Sequence, residues 1–125
     1  MAIKGIGVDL VAVERIERMV DSWGEKFLTR VYTDEELQYC LPKRRKFEHL
    51  AGRFAAKESF IKAYGEKLSL KDIEVISLEN GEPALRLVSD SQNLRGQVHL
   101  SITHESSYAL AMLIISESRS ADSEL

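Results

Sequence analysis

The chain has 125 residues, 44% hydrophobic and 30% charged, which suits one globular domain and excludes a disordered or disulfide-stapled chain. Its single cysteine, Cys40, fits a reducing compartment, and no apolar run approaches a membrane span. The net charge of −3 hides a basic stretch: residues 43–67 carry eight bases and three acids, so +5 there faces −8 elsewhere, which favours a locally bound anion over a broad nucleic-acid footprint. Met1 to Leu10 lacks the long apolar region of a signal peptide, so the sequence reads as one cytoplasmic domain over residues 1–116. A polar tail, 117–125, is expected to fray.

Ile3 to Asp9 reads as a strand, whose Gly5 and Gly7 suggest close approach of another backbone or a ligand. Leu10, Val13, Ile16 and Val20 recur at helical spacing and predict a helix to about Ser22. Phe27, Leu28 and Val31 predict a short helical turn. Thr33 and Glu36 form a capping-box pattern before a helix that stops near Leu41-Pro42. The longest helix is predicted from about Lys43 to Tyr64, on an apolar stripe of Phe47, Leu50, Ala51, Phe54, Ala55 and Ile61, with Gly65 as its stop.

Strands are then predicted around 73–78, 85–88 and 98–102, the first two joined through Asn80-Gly81. A last strand, Tyr108 to Ile115, is apolar on both faces, as expected of a central strand or of one packed against another subunit. The fold class is α+β, a long helix on a mostly antiparallel sheet.

Three residues stand out. Glu58 places a carboxylate on or beside the apolar stripe, where burial without a partner is costly. A divalent cation would relieve that, and so would an i,i+4 pair with Lys62. Asp9 ends an apolar strand as a metal ligand, a helix N-cap or both. His104 closes a strand before a turn, a common place for a plain turn residue and also for a functional one. His49, His99 and Cys40 lack zinc-type spacing, and there is no Gly-x-Ser-x-Gly elbow or phosphate loop.

Three segments resemble the holo-[acyl-carrier-protein] synthase family, the small phosphopantetheinyl transferases. They are Gly5-Ile6-Gly7-Val8-Asp9-Leu10 with Glu14-Arg15-Ile16, Leu50 through Gly65 with Gly52-Arg53-Phe54-Ala55-Ala56-Lys57-Glu58 at its centre, and Val98 through Glu105 with Tyr108-Ala109. The resemblance implies the phosphopantetheinyl transferase fold, a homotrimer with active sites between subunits, and a role in fatty acid biosynthesis. It implies Mg²⁺-dependent transfer of 4′-phosphopantetheine from coenzyme A to a serine of apo acyl carrier protein, releasing adenosine 3′,5′-bisphosphate. On this resemblance Asp9 and Glu58 are the metal ligands, and Glu58 could relay the serine proton. Lys62 steadies or protonates the leaving phosphate, and His104 contacts the pyrophosphate. Lys43, Arg44, Arg45 and Arg53 are candidates for the 3′-phosphate, Lys57 for electrostatics near the metal, and Gly65 for close passage of coenzyme A. Arg15, with Arg18 and Lys26, would dock the acidic carrier, although Glu14, Glu17, Asp21 and Glu25 interrupt that positive face. The loop after Gly65 is shorter than in many relatives. A non-catalytic coenzyme A-binding module would need the bases but not Asp9 with Glu58. A nucleic-acid binder would need exposed aromatics among the bases, whereas Phe47 and Phe54 lie on the apolar stripe.

Overall fold

The computed structural model describes residues 2–89 and 94–118. The elements are β1 (Ile3–Ala12), α1 (Val13–Trp23), α2 (Glu25–Val31), α3 (Asp34–Cys40), α4 (Lys46–Tyr64), a 3₁₀ turn (Leu70–Asp72), β2 (Ile73–Ser77), β3 (Pro83–Leu87), β4 (Gln97–His104) and β5 (Tyr108–Ser116). β1, β5 and β4 form an antiparallel sheet in that order, and β2 with β3 forms a separate hairpin. No described helix is long and apolar enough to cross a membrane.

The first boundary differs from the sequence expectation. β1 continues to Ala12 because β5 offers partners up to Tyr108, and Val13 N–H then donates to Ser107 O at 2.9 Å. Leu10 therefore belongs to the strand. Asp9 pairs with Ala111 in mid-strand and caps nothing; α1 starts at Val13, and its N-cap residue, Ala12, supplies no side-chain cap. The capping box of α3 forms as read: Glu36 N–H donates to Thr33 Oγ1 at 3.2 Å, and Thr33 N–H donates to Glu36 Oε1 at 2.9 Å. The hairpin turns at Gly81, with φ +88°, and β3 starts at Pro83, earlier than expected. Of the tail, Glu117 N–H is tied to Ala2 O and Ser118 Oγ accepts from Gly96, so these two residues are held; 119–125 lie outside the described residues.

α4 begins at Lys46, after a turn containing Lys43 to Arg45, and ends at Gly65 in the left-handed conformation (φ +76°) that glycine adopts without strain. The apolar stripe understates its burial, since Ala56, Ser59 and Phe60 are also fully buried. The sheet covers one side of α4, while α1 and β2 pack on others. Each large apolar side chain buried this way contributes about 1.5–3 kcal/mol.

The two strand glycines fix how α4 meets the sheet. A Cβ on Gly5 would stand 2.0 Å from Ala63 O, and one on Gly7 would stand 1.9 Å from Ser59 O. The helix backbone thus lies directly on β1, and the close approach is by protein rather than ligand. β5 is the central strand: Ala109, Ala111, Leu113 and Ile115 are buried on the α4 side. Its other face leaves Tyr108, Leu110 and Met112 exposed, beside Leu10, Val8 and Ile6 of β1.

Candidate active site

Gly5 lies under Ala63 and Gly7 under Ser59, so two strand residues match one helical turn. Continuing that register places Asp9, on the same strand face, at the turn between Ala55 and Ser59, which contains Glu58. Lys62 closes the group. Its Nζ donates to Val8 O at 3.0 Å and to Asp9 Oδ1 at 3.2 Å. Of the two alternatives for Glu58, the i,i+4 pair with Lys62 does not form, because Lys62 pairs with Asp9. Asp9 is only 18% exposed, and Glu58 is half-buried with no ion pair or hydrogen bond among the described residues. No group of three or more His, Cys, Asp or Glu side chains arranged to hold a metal ion is found among them either. Two carboxylates suit Mg²⁺, a hard cation that keeps waters and takes substrate phosphate oxygens, and Asp9 Oδ2 has no protein partner among the described residues.

A second group forms on the opposite flank of α4. At about 100° per residue, His49 and Glu58 point about 180° apart around the helix. Gly52 lets β4 approach: a Cβ there would meet Ile102 Cγ2 at 3.1 Å and His104 Cδ2 at 3.9 Å. His104 Nδ1 lies 2.9 Å from Glu48 Oε1, and the His104 and His49 rings meet edge-on at 5.0 Å. Arg45 Nη1 is 3.6 Å from Glu48 Oε2. Burial, helped by the neighbouring His104, Arg53 and Lys43, holds the His49 imidazole below its ordinary pKa.

Arg53 extends this cationic side. Only 7% exposed, it lies 4.1 Å from the Tyr39 ring centre and donates from Nη2 to Ser77 Oγ at 3.3 Å. Its buried Nε has no hydrogen-bond partner among the described residues. Lys43 Nζ is 4.5 Å from the same ring, while Arg44 is exposed in the turn before α4. Tyr39 and Glu48 were not foreseen in the sequence. Tyr39 sits ten residues from His49 and fourteen from Arg53, so no local pattern announces the cluster.

Lys57 does not join either group. Its fully buried ammonium donates to Val31 O at 2.6 Å and Leu70 O at 3.0 Å, and lies 2.5 Å from Glu36 Oε1. Burial lowers its pKa while Glu36 opposes the shift. The expectation that Lys57 serves coenzyme A through electrostatics near the metal gives way to a structural tie between α4, α2, α3 and the 3₁₀ turn. Glu36 Oε2 also accepts from Val75 N–H at 2.8 Å, and buried Glu74 accepts from Thr33 and Arg86. Cys40 is likewise internal, and burial pushes its thiol up to about 11.

A groove of about 520 Å³ runs between α1, α2 and α4. Its apolar lining includes Ile16, Met19, Trp23, Phe27, Phe54 and Leu70, with Arg15, Lys26 and Arg30 at its edges. Arg15 lies over the Phe54 ring at 5.4 Å. Arg18 does not line the groove; it pairs with Glu14 at 2.6 Å in solvent. Arg30 and Trp23 were missed in the sequence, although α2 carries both apolar Phe27 and Val31 and the bases.

The 4′-phosphopantetheinyl transferase superfamily model matches residues 5–113. The holo-[acyl-carrier-protein] synthase of Halothermothrix orenii is 48% identical over 120 residues, covering 90% of this chain and 96% of its own. That of Thermodesulfovibrio yellowstonii is 42% identical over 115 residues, covering 90% and 98%. Among solved structures, the Bacillus anthracis synthase in complex with CoA (3′,5′-ADP) superposes with a TM-score of 0.81 at 37% identity, covering 93% of this chain and 98% of that one. The Neisseria meningitidis synthase gives 0.82 at 30% identity, covering 93% and 100%. With the helix-on-sheet fold in common, and the match running through both flanks of α4, this chain belongs to the 4′-phosphopantetheinyl transferase superfamily and is a transferase of the holo-[acyl-carrier-protein] synthase family.

Proposed function

We infer that the protein transfers 4′-phosphopantetheine from coenzyme A to a serine of apo acyl carrier protein in the cytoplasm, for fatty acid biosynthesis. The observation that carries this reading is the pairing of Lys62 with Asp9 where α4 lies on β1, with half-buried Glu58 one helical turn before Lys62. A coenzyme A-binding module would have no use for two half-buried carboxylates beside a lysine. The serine oxygen forms a bond to the phosphorus that bears pantetheine, and the bond from that phosphorus to the bridging oxygen breaks. Adenosine 3′,5′-bisphosphate leaves, and holo carrier protein remains.

Asp9 and Glu58 would hold Mg²⁺, which supplies charge neutralisation for the pyrophosphate. Lys62, already held by Val8 O and Asp9, reaches the same region and would steady or protonate the leaving phosphate. Arg53, Lys43 and Arg45, with Arg44 beside them, would hold the 3′-phosphate; His104 would contact the pyrophosphate. Gly65 leaves space at the end of α4 for coenzyme A, since no atom lies within 4 Å of where its Cβ would be. Arg15, Lys26 and Arg30 around the apolar groove suit an acidic carrier helix, with Arg18 as an outlying contact.

Within one protomer these two groups lie on opposite flanks of α4, beyond edge strands two spacings apart, about 10 Å. The exposed apolar face of Ile6, Val8, Leu10, Tyr108, Leu110 and Met112 supports packing against further copies, because single chains rarely leave such a patch open. A homotrimer built on that face would bring the carboxylate flank of one copy to the cationic flank of the next.

Intact mass of apo acyl carrier protein incubated with the protein, coenzyme A and Mg²⁺ tests the reading. The expected gain is one phosphopantetheine, roughly 340 Da, absent when EDTA is added. Coenzyme A binding with no mass gain would contradict transfer.

A further inference from the structure

Glu48 is a carboxylate the proposed chemistry does not use. It sits in the first turn of α4, only 7% exposed, with Oε1 2.9 Å from His104 Nδ1 and Oε2 facing Arg45. An ionised carboxylate only accepts hydrogen bonds, so the ring proton in this contact belongs to Nδ1. That leaves Nε2, which has no protein partner among the described residues, on the free edge of a ring whose side chain is 30% exposed. The His49 ring, edge-on at 5.0 Å, restricts ring rotation from a second side.

We propose that Glu48 is a positioning residue: it fixes His104 with Nδ1 protonated, so that Nε2 is held outward toward a phosphate anion of coenzyme A. This rests on the placement of His104 at the pyrophosphate. In the imidazolium form both ring nitrogens carry a hydrogen, so Nε2–H can donate to a phosphate oxygen while Nδ1–H keeps its hydrogen bond to Glu48. Glu48 touches no substrate and acts through His104. Its place in the first helical turn offers a competing, purely structural role through the helix dipole.

A double-mutant cycle separates the two. Glu48→Ala, Glu48→Gln, His104→Ala and the Glu48→Ala/His104→Ala double variant are compared for coenzyme A dissociation constant and for kcat and KM, with nitrogen NMR of the ring reporting the tautomer. Glu48→Ala is expected to weaken coenzyme A binding about tenfold, yet less than about twofold when His104 is already alanine. In Glu48→Ala the neutral His104 ring should gain the Nε2–H tautomer. Glu48→Gln, which keeps the shape, should lose about threefold and covers the case in which the alanine variant does not fold. Equal losses with and without His104, or an unchanged tautomer, overturn the proposal. If the unsubstituted protein binds coenzyme A but transfers nothing, the functional reading fails while the binding cycle still decides the role of Glu48. If it does not bind coenzyme A, both fall.

Discussion

The two flanks of α4 are built from opposite charge. Toward β1, half-buried Asp9 pairs with Lys62, one helical turn from half-buried Glu58, at a place where glycines bring helix and strand backbones together. Toward β4, Arg53, Lys43 and His49 gather around Tyr39, with His104 against His49 and one buried carboxylate behind it. The first arrangement suits a cation and the second an anion. Reaction at one pyrophosphate needs both, and one copy holds them on opposite sides of a helix. Under the proposed function, the difference makes the protomer a carrier of two complementary half-sites, which the bare sheet face would serve to join.

The largest expected effect comes from the carboxylate flank. Asp9→Ala or Glu58→Ala should lower kcat by about a thousandfold or more, with helix content by circular dichroism unchanged. Full activity in either variant would remove that residue from the metal site. Charging the sheet face should be almost as damaging, but by a different route. Leu110→Lys or Val8→Lys should leave a folded monomer by light scattering, with activity reduced about a hundredfold because half-sites no longer meet. An active monomer would break the comparison outright.

The contact between helix and strand gives a stability prediction. Gly7→Ala sets a methyl 1.9 Å from Ser59 O, and neither backbone can move freely, so a loss of about 3 kcal/mol in chemical denaturation is expected. The smallest effect concerns the groove. Arg15→Glu should raise KM for the carrier protein about tenfold and leave KM for coenzyme A within about twofold. Equal changes in both would separate the groove from carrier docking.

Local chemistry made much of this legible in the sequence. The Thr33-Glu36 capping box, the Gly65 stop and the Gly81 turn are decided by neighbours within a few residues, and each forms as read. The outward apolar face of β1 was harder. Leu10 fits a helical spacing with Val13 and Ile16, and only the ladder to β5 makes it a strand residue. Long-range partners were not legible. Lys57 looks like any other helix base until Glu36, twenty-one residues earlier, is seen beside it. Glu48 and His104 are fifty-six residues apart, and only the β4 approach allowed by Gly52 brings them together. Asp9, Glu58 and His104 stand out by their own chemistry in the sequence, and the family resemblance adds Arg53, but their division between two flanks of one helix needed the fold.

The most direct test of the paired half-sites is complementation between two inactive variants. Asp9→Ala removes the carboxylate flank and Arg53→Ala the cationic one, and the two proteins are unfolded, mixed and refolded together. Random assembly of equal amounts should give about a quarter of the sites one intact half from each variant, so activity should return to about a quarter of the unsubstituted level. Activity no greater than the sum of the two variants refolded separately would mean that each site lies within one copy, and would contradict the account.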